Sequence, residues 1–222
     1  MVDPVELTKI VETKVCRSSS RKYYRFRKTS FYGGCATADC LGCNLRCAYC
    51  WAQKKVWTPG KFGKFYTPRE VSEKLIKMNS SLVRVSGGEP SICKKHLFEL
   101  ISLIPENKLF ILETNGILLN EDYIKELSNF RNFSVRVSLK GVDEKIFEQI
   151  TGADGQFFKN QLNALKLLKK YGIKYKAAIL VDLFSEKQIE NLGIPDLEYE
   201  TLISYPFVMK SLKKKGIKLA RK

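Results

Sequence analysis

Hydrophobic and polar positions alternate between two patterns along the chain. Short apolar or β-branched runs near residues 31–36, 82–85, 109–112, 133–139, 175–181 and 197–203 predict strands. Between them, apolar residues recur at spacings of three and four, which predicts helices over residues 68–78, 94–104, 121–130, 144–150, 157–171 and 186–191. The first of these helices carries its own start signal, with Thr67 as N-cap, Pro68 in the first turn and Glu70 three residues after the cap. Upstream, Val5, Leu7, Ile10, Val11 and Val15 predict a short amphipathic helix over residues 5–16. Residues 21–28 (RKYYRFRK) interleave aromatic and basic side chains, as an edge strand or an arm would.

Strands separated by helices, at about 30 residues per unit, imply a parallel sheet. Six such strands predict an α/β fold, an open partial (β/α)6 barrel of the TIM type, with ligands at the carboxyl ends of the strands. The 222 residues are expected to form one domain: a barrel core over 31–204 between a basic N-terminal extension (1–30) and a basic C-terminal tail (205–222). No apolar run approaches the ~20 residues of a spanning helix. The start Met1-Val2-Asp3-Pro4 has no signal-peptide pattern. The expectation is a cytoplasmic protein without membrane association.

Composition is ordinary for a globular chain, 44% hydrophobic and 28% charged, which excludes wholesale disorder. The charge is not ordinary: 39 Lys and Arg against 23 Asp and Glu, formally +16. Residues 51–67 hold Lys54, Lys55, Lys61 and Lys64 and no acid, and residues 205–222 are equally free of acids. Such a balance attracts anions, so nucleic acid or an acidic protein is a candidate partner.

Chemistry concentrates in the cysteines. Of seven, four fall in residues 40–50, and Cys43-x3-Cys47-x2-Cys50 places three thiolates at short spacing. Three thiolates can hold three corners of a cubane iron–sulfur cluster and leave one iron open. Taken with Cys40, the same residues could instead form a closed four-cysteine zinc site. Cys16, Cys35, Cys40 and Cys93 read as buried small hydrophobes or as ligands of an auxiliary cluster, and disulfides are not expected. His96, the one histidine, has no partner of its kind and reads as an ordinary helix residue.

The segment CNLRCAYC resembles the CxxxCxxC signature of the radical S-adenosylmethionine (SAM) superfamily, including the aromatic Tyr49 before the last cysteine. Gly87-Gly88-Glu89 follows the second predicted strand, Glu113-Thr114-Asn115-Gly116 the third, and Ser138-Leu139-Lys140-Gly141 ends the fourth. In this order the landmarks resemble those of glycyl-radical-enzyme activases and their relatives. The chain departs from them at Glu113 and Ser138, where activases carry Asp, and it has no cysteine between Trp51 and Val85, so their ferredoxin-like insert is absent.

The resemblance implies a [4Fe–4S] cluster on Cys43, Cys47 and Cys50, with SAM chelating the open iron. It places Tyr49 near the adenine, Gly87 and Gly88 at the amino end of SAM, and Glu89 in support of that strand end. Thr114, Asn115 and Ser138 would bond ribose or carboxylate oxygens, and Lys140 would pair with the SAM carboxylate. No catalytic side chain beyond the cluster is assigned. The implied activity is reductive cleavage of SAM to a 5′-deoxyadenosyl radical that abstracts hydrogen from a glycyl-radical-type protein, an RNA or a small molecule. The implied partner is an electron donor such as a ferredoxin or flavodoxin. A zinc-stabilised nucleic-acid-binding module is the competing expectation.

Overall fold

The computed structural model describes residues 1–220; Arg221 and Lys222, the end of the expected basic tail, lie outside the described residues. In chain order the elements are α1 (Pro4–Val15), β1 (Cys16–Arg17), β2 (Ser20–Thr29), β3 (Cys35–Cys40), α2 (Gln53–Trp57), β4 (Lys64–Tyr66), α3 (Pro68–Lys77), β5 (Leu82–Gly87) and α4 (Lys94–Ser102). They continue with β6 (Leu109–Thr114), α5 (Glu121–Leu127), β7 (Phe133–Leu139), α6 (Glu144–Thr151), α7 (Phe158–Lys170), β8 (Tyr175–Leu180), α8 (Glu186–Glu190), β9 (Glu198–Glu200) and α9 (Pro206–Lys214).

The described strands form one open sheet in the order β1-β2-β3-β5-β6-β7-β8-β9, with β4 also on β2. From β3 to β9 every pairing is parallel, so the six expected βα strands are present in sequence order. The capping box at Thr67 and Glu70 forms as the sequence predicts. No helix among the described residues is long and apolar enough to cross a membrane.

The outer face of the barrel is apolar. Ala36, Ala38, Val83, Val85, Phe110, Leu112, Val135, Val137 and Ile179 are buried in the main core beneath the helices. Side chains alternate along a strand, so the intervening residues point inward, and these are Thr37, Asp39, Arg84, Glu113, Arg136 and Ser138. A charged lattice ties this inner wall together. Glu113 accepts from Arg84 at 3.2 Å, from Arg136 at 3.2 Å and from the Tyr32 hydroxyl at 2.7 Å. Arg136 also reaches Glu198 and Glu200, each at 2.6 Å.

Three local expectations shift. The first parallel strand begins at Cys35, not at residue 31, because Phe31–Gly33 form a single 3-10 turn with Tyr32, Gly33 and Gly34 at positive φ. The last narrows to three residues at the sheet edge. Helix α1 buries Thr8, Val11 and Val15 and leaves Val5 and Ile10 exposed. The basic stretch 21–28 is the edge strand the sequence allowed, not an arm: β2 pairs antiparallel with β3, β4 pairs with Arg21–Tyr23 and β1 with Ser20–Arg21, and among the described residues Arg25–Lys28 pair with β3 alone.

The spare cysteines do not gather as a second cluster. Cys16 and Cys93 are joined in a disulfide, which fixes the end of α1 to the start of α4, against the expectation of free thiols. Cys35 and Cys40 sit at opposite ends of β3, both buried.

His96 is a core histidine with both ring nitrogens engaged. Nδ1 donates to the Ser19 carbonyl at 2.7 Å, so Nε2 accepts from the Tyr23 hydroxyl at 2.9 Å. Burial pushes its pKa from 6.5 down to about 4. The unfolded chain therefore binds a proton that the folded chain refuses between those values. The contribution of neutral His96 is fully present above pH 6.5 and is lost as pH falls toward 4. By about pH 5 the loss is about 2 kcal/mol. Urea unfolding at neutral pH and at about pH 5 should show this drop in the wild type and a smaller one in His96→Gln.

Candidate functional site

The loops after β3, β5, β6 and β7 converge at the carboxyl ends of the strands. They enclose a cavity of about 180 Å³ lined by Cys43, Cys47, Cys50, Gly87, Gly88, Glu89, Thr114, Asn115, Ser138 and Lys140. Ten of the eleven residues expected from the sequence thus meet at one place. Tyr49 is outside the lining; its ring lies 5.5 Å from the Lys140 ammonium. Leu45, Trp51, Ser86, Glu113 and Glu200 complete the wall. Wider grooves elsewhere, such as one of about 490 Å³ running from Ile117 to Lys166, contain no cysteine.

The cysteine loop is held from three sides. Behind it, Arg46 N and Ala48 N donate to the Thr151 and Ile150 carbonyls at the end of α6, at 3.0 and 2.9 Å. Beside it, Gly88 N donates to the Cys40 carbonyl and Glu89 N to the Gly42 carbonyl, both at 2.8 Å. A Cβ on Gly87 would come within 2.9 Å of the Cys40 carbonyl oxygen, and one on Gly88 would collide with that of Gly42. The two glycines are therefore required by backbone meeting backbone. From below, Arg21 donates to Pro90 O (2.9 Å), Glu89 O (2.7 Å), Leu41 O (3.2 Å) and Cys40 Sγ (3.2 Å).

Glu89 joins two strand ends. Its Oε1 accepts from Ser91 N (3.1 Å), Ser91 Oγ (2.7 Å) and Thr114 Oγ1 (2.7 Å), and Oε2 from Asn115 N (2.7 Å). The Thr114 hydroxyl also accepts from Gly116 N at 3.0 Å, so it is committed to the loop. Asn115 Nδ2 donates to Asn44 Oδ1 at 2.8 Å and approaches Cys43 Sγ at 3.9 Å, linking β6 to the cysteine loop. Gln161 on α7 donates to the Asn115 and Ser138 carbonyls and accepts from Lys140 N. Lys140 Nζ donates to Ser138 Oγ at 2.7 Å.

Arg21, Asn44 and Gln161 were not anticipated as site residues. Gln161 had a readable signal, a polar residue on the buried stripe of α7 that also carries Phe158, Ala164 and Leu165. Arg21 had none, since its partners, three backbone carbonyls and the Cys40 thiol, come from segments distant in sequence.

Burial pushes the Cys43, Cys47 and Cys50 thiols up, and for Cys43 and Cys50 their neighbours' charge adds to the rise, Cys50 to about 12. Leu45 N points at Cys43 Sγ from 3.4 Å, and Asn44 Nδ2 is buried without a partner. Burial opposes the Lys140 charge, yet Tyr49, Cys47 and Glu200 outweigh it and hold the ammonium protonated.

Three thiols spread around a cavity, beside an unspent donor, fit a cubane cluster, whose cysteines bind separate irons. They do not fit closed zinc ligation. Cys40 is bonded to Arg21 outside the cavity, and no three His, Cys, Asp or Glu among the described residues are gathered around a single ion.

Comparison with known proteins places this geometry. An uncharacterised protein of Methanocaldococcus jannaschii is 28% identical over 184 residues, covering 80% of this chain and 60% of the relative. The GTP 3',8-cyclase of Clostridium perfringens is 34% identical over 173 residues, 75% of this chain and 51% of that protein. The chain therefore spans between half and three fifths of the length of these two relatives. Streptococcus suis SuiB bound to S-adenosylmethionine shares the fold, with a TM-score of 0.61 at 16% identity over 82% of this chain and 41% of SuiB. SuiB has also been solved with its precursor peptide SuiA, where the TM-score is 0.58 over 80% of this chain and 45% of that one. Residues 40–192, more than half of the chain, match the radical SAM superfamily as a whole. The chain belongs to the radical SAM superfamily, whose cofactors are SAM and a [4Fe–4S] cluster.

Proposed function

We propose that this protein cleaves SAM reductively and directs the resulting radical at a polar substrate. The observation that carries the reading is the convergence of the three cysteines with Gly87, Gly88, Asn115, Ser138 and Lys140 on one cavity. Cys43, Cys47 and Cys50 would hold three irons of the cluster. Bound there, the cofactors supply a one-electron cleavage that yields methionine and a 5′-deoxyadenosyl radical able to take hydrogen from carbon. Lys140 presents a point charge to the SAM carboxylate, with Ser138 fixing its ammonium. Thr114 and Glu89 hold the strand ends at the spacing the cavity needs.

The inner wall selects the substrate class. Arg25 and Arg27 on Asp39, together with the Arg84, Arg136, Glu113 and Glu200 lattice, present fixed charges and would exclude an apolar guest. Relatives named for GTP, and a neighbour with a peptide bound, act on polar molecules of two kinds. A glycyl-radical-type protein would be a narrower form of the same reading. Against it, Glu113 is spent on Arg84, Arg136 and Tyr32, and Ser138 on Lys140. No pair of free acids stands where activases carry aspartates.

The test is anaerobic. The chain, reconstituted with iron and sulfide and reduced with dithionite, is expected to form 5′-deoxyadenosine from SAM. Cys43→Ala/Cys47→Ala/Cys50→Ala should fall to the uncatalysed background and lose iron. Bound zinc in place of iron, or product that survives the triple substitution, would overturn the proposal.

A further inference from the structure

Where α6 ends behind the cysteine loop, a lysine from the far end of the chain is turned inward. The segment after β9 carries Lys210, Lys213, Lys214, Lys215 and Lys218 among its described residues; four are exposed and Lys215 alone is half-buried. Helix α9 aims it. Val208 and Leu212 of that helix are buried in the main core, and Lys215 closes its last turn, its amide donating to the Ser211 and Leu212 carbonyls at 3.2 and 3.1 Å. The Lys215 carbonyl accepts from Gln149 Nε2 on α6 at 3.1 Å, which fastens the end of one helix to the other.

The ammonium meets the same carbonyl as the cysteine loop. Ile150 O accepts from Ala48 N at 2.9 Å and from Lys215 Nζ at 3.3 Å. Ala48 directly follows Cys47, so the charge stands one shared acceptor away from the Cys47–Ala48 peptide. Gly152 keeps the approach open, since a Cβ there would lie 3.5 Å from Lys215 Nζ. Lys215 is in no ion pair among the described residues.

Neither the cavity nor the helix end needs this lysine. The lysine of the cavity wall is Lys140, and Lys215 is not part of that wall. Ile150 O already has its partner in Ala48 N, and α6 is closed by Gly152 in the left-handed conformation, whose amide donates to Glu148 O at 2.8 Å. What the position adds is a positive charge beside Cys47. Burial raises the Cys47 thiol pKa and lowers that of Lys215, and the charge of each group works against the shift in the other. The buried acid of the site, Glu89, acts on Cys43 instead.

We propose that Lys215 tunes the reduction potential of the centre held by Cys43, Cys47 and Cys50, keeping it higher than the thiolates alone would. The proposal rests on the radical SAM reading. Reduction adds one electron to a site that three thiolates already make negative, and no proton or group moves with it. A nearby cation favours the more negative state, and net charge around such a centre is one of the terms that set its potential. Lys215 touches neither thiol nor substrate and acts through its field alone. Its half-exposure lets solvent screen part of that field, which keeps the effect moderate.

The test reads a potential, without SAM and without turnover. The full chain is reconstituted with iron and sulfide, and its midpoint is followed by electron paramagnetic resonance during graded anaerobic reduction. Lys215→Gln keeps a donor for Ile150 O and removes the charge. It is expected to lower the reduced-to-oxidised ratio at a fixed poise by about threefold or more, a midpoint about 30 mV more negative at about 59 mV per tenfold for one electron. Lys215→Arg should keep the wild-type midpoint. Lys213→Gln/Lys214→Gln removes two exposed charges from the same turn of α9 and should also leave it in place. A Lys215→Gln midpoint equal to wild type at full iron content would overturn the proposal and leave Lys215 a helix-end contact. An equal fall in Lys215→Arg would overturn it by placing the effect in contacts rather than charge, and an equal fall in Lys213→Gln/Lys214→Gln by making it a matter of net charge. A chain that takes up no iron overturns the proposed function and this proposal with it, whereas an iron-loaded chain with an unmoved midpoint counts against this proposal alone.

Discussion

Replacing Arg21 by methionine is expected to remove about 3 kcal/mol of stability and to weaken SAM binding together with it. Arg21 is 1% exposed and is in no ion pair among the described residues. Its guanidinium holds Leu41 of the cysteine loop and Glu89 and Pro90 of the glycine loop through three backbone carbonyls, and it also caps the Cys40 thiol. Each carbonyl left dry costs about 1–3 kcal/mol. Methionine refills much of the volume and removes a desolvated charge, which offsets part of that cost. Arg21→Lys keeps the charge but not the planar fork, so it should recover only part of the loss. Urea unfolding measures the stability. The positioning role is read separately, as a rise in the KM for SAM in protein that has refolded and taken up full iron. A stability loss with an unchanged KM would make Arg21 merely structural.

The placement of the site was legible because the alternation of β and helical periods fixes six parallel strands, and parallel strands put their loops on one side. The cavity then collects residues from four loops that are far apart in sequence. What the sequence could not show is which polar groups face a ligand and which face each other. Thr114 has the look of a ribose ligand, yet its hydroxyl lies between Glu89 and Gly116. Gly87 and Gly88 read as room for a cofactor; they line the cavity, and they also make room for the backbone of Cys40 and Gly42, which the sequence did not show. The basic, aromatic stretch 21–28 read equally as an edge strand or an arm, and only its pairing with β3 decides for the strand. Each of these depends on contacts between segments tens of residues apart, which local periodicity does not encode. The inner wall was half legible: Val83-Arg84-Val85-Ser86 and Val135-Arg136-Val137-Ser138 alternate strictly, as strands with one polar face do.

The other large effect is expected at Gly88. Its amide donates to Cys40 O, the next amide donates to Gly42 O, and its Cα faces the Gly42 carbonyl with no room for another atom. A methyl group must therefore push the cysteine loop and the end of β5 apart. Backbone yields less readily than a side chain, so both hydrogen bonds open and two buried carbonyls lose their partners. The displaced segment contains Cys43, and it is the segment that Asn115 fixes through Asn44. Gly88→Ala should consequently lower iron per chain and reduce SAM cleavage by about 100-fold or more, since a misplacement of about 1 Å at a reacting centre costs that much. The global fold should survive, because Val83 and Val85 of the same strand remain packed in the core. Iron content, deoxyadenosine formation and the unfolding midpoint together decide the matter. Normal iron and normal turnover in a stable Gly88→Ala protein would show that the loop can give way, and that the glycine there is not what sets the geometry of the cavity.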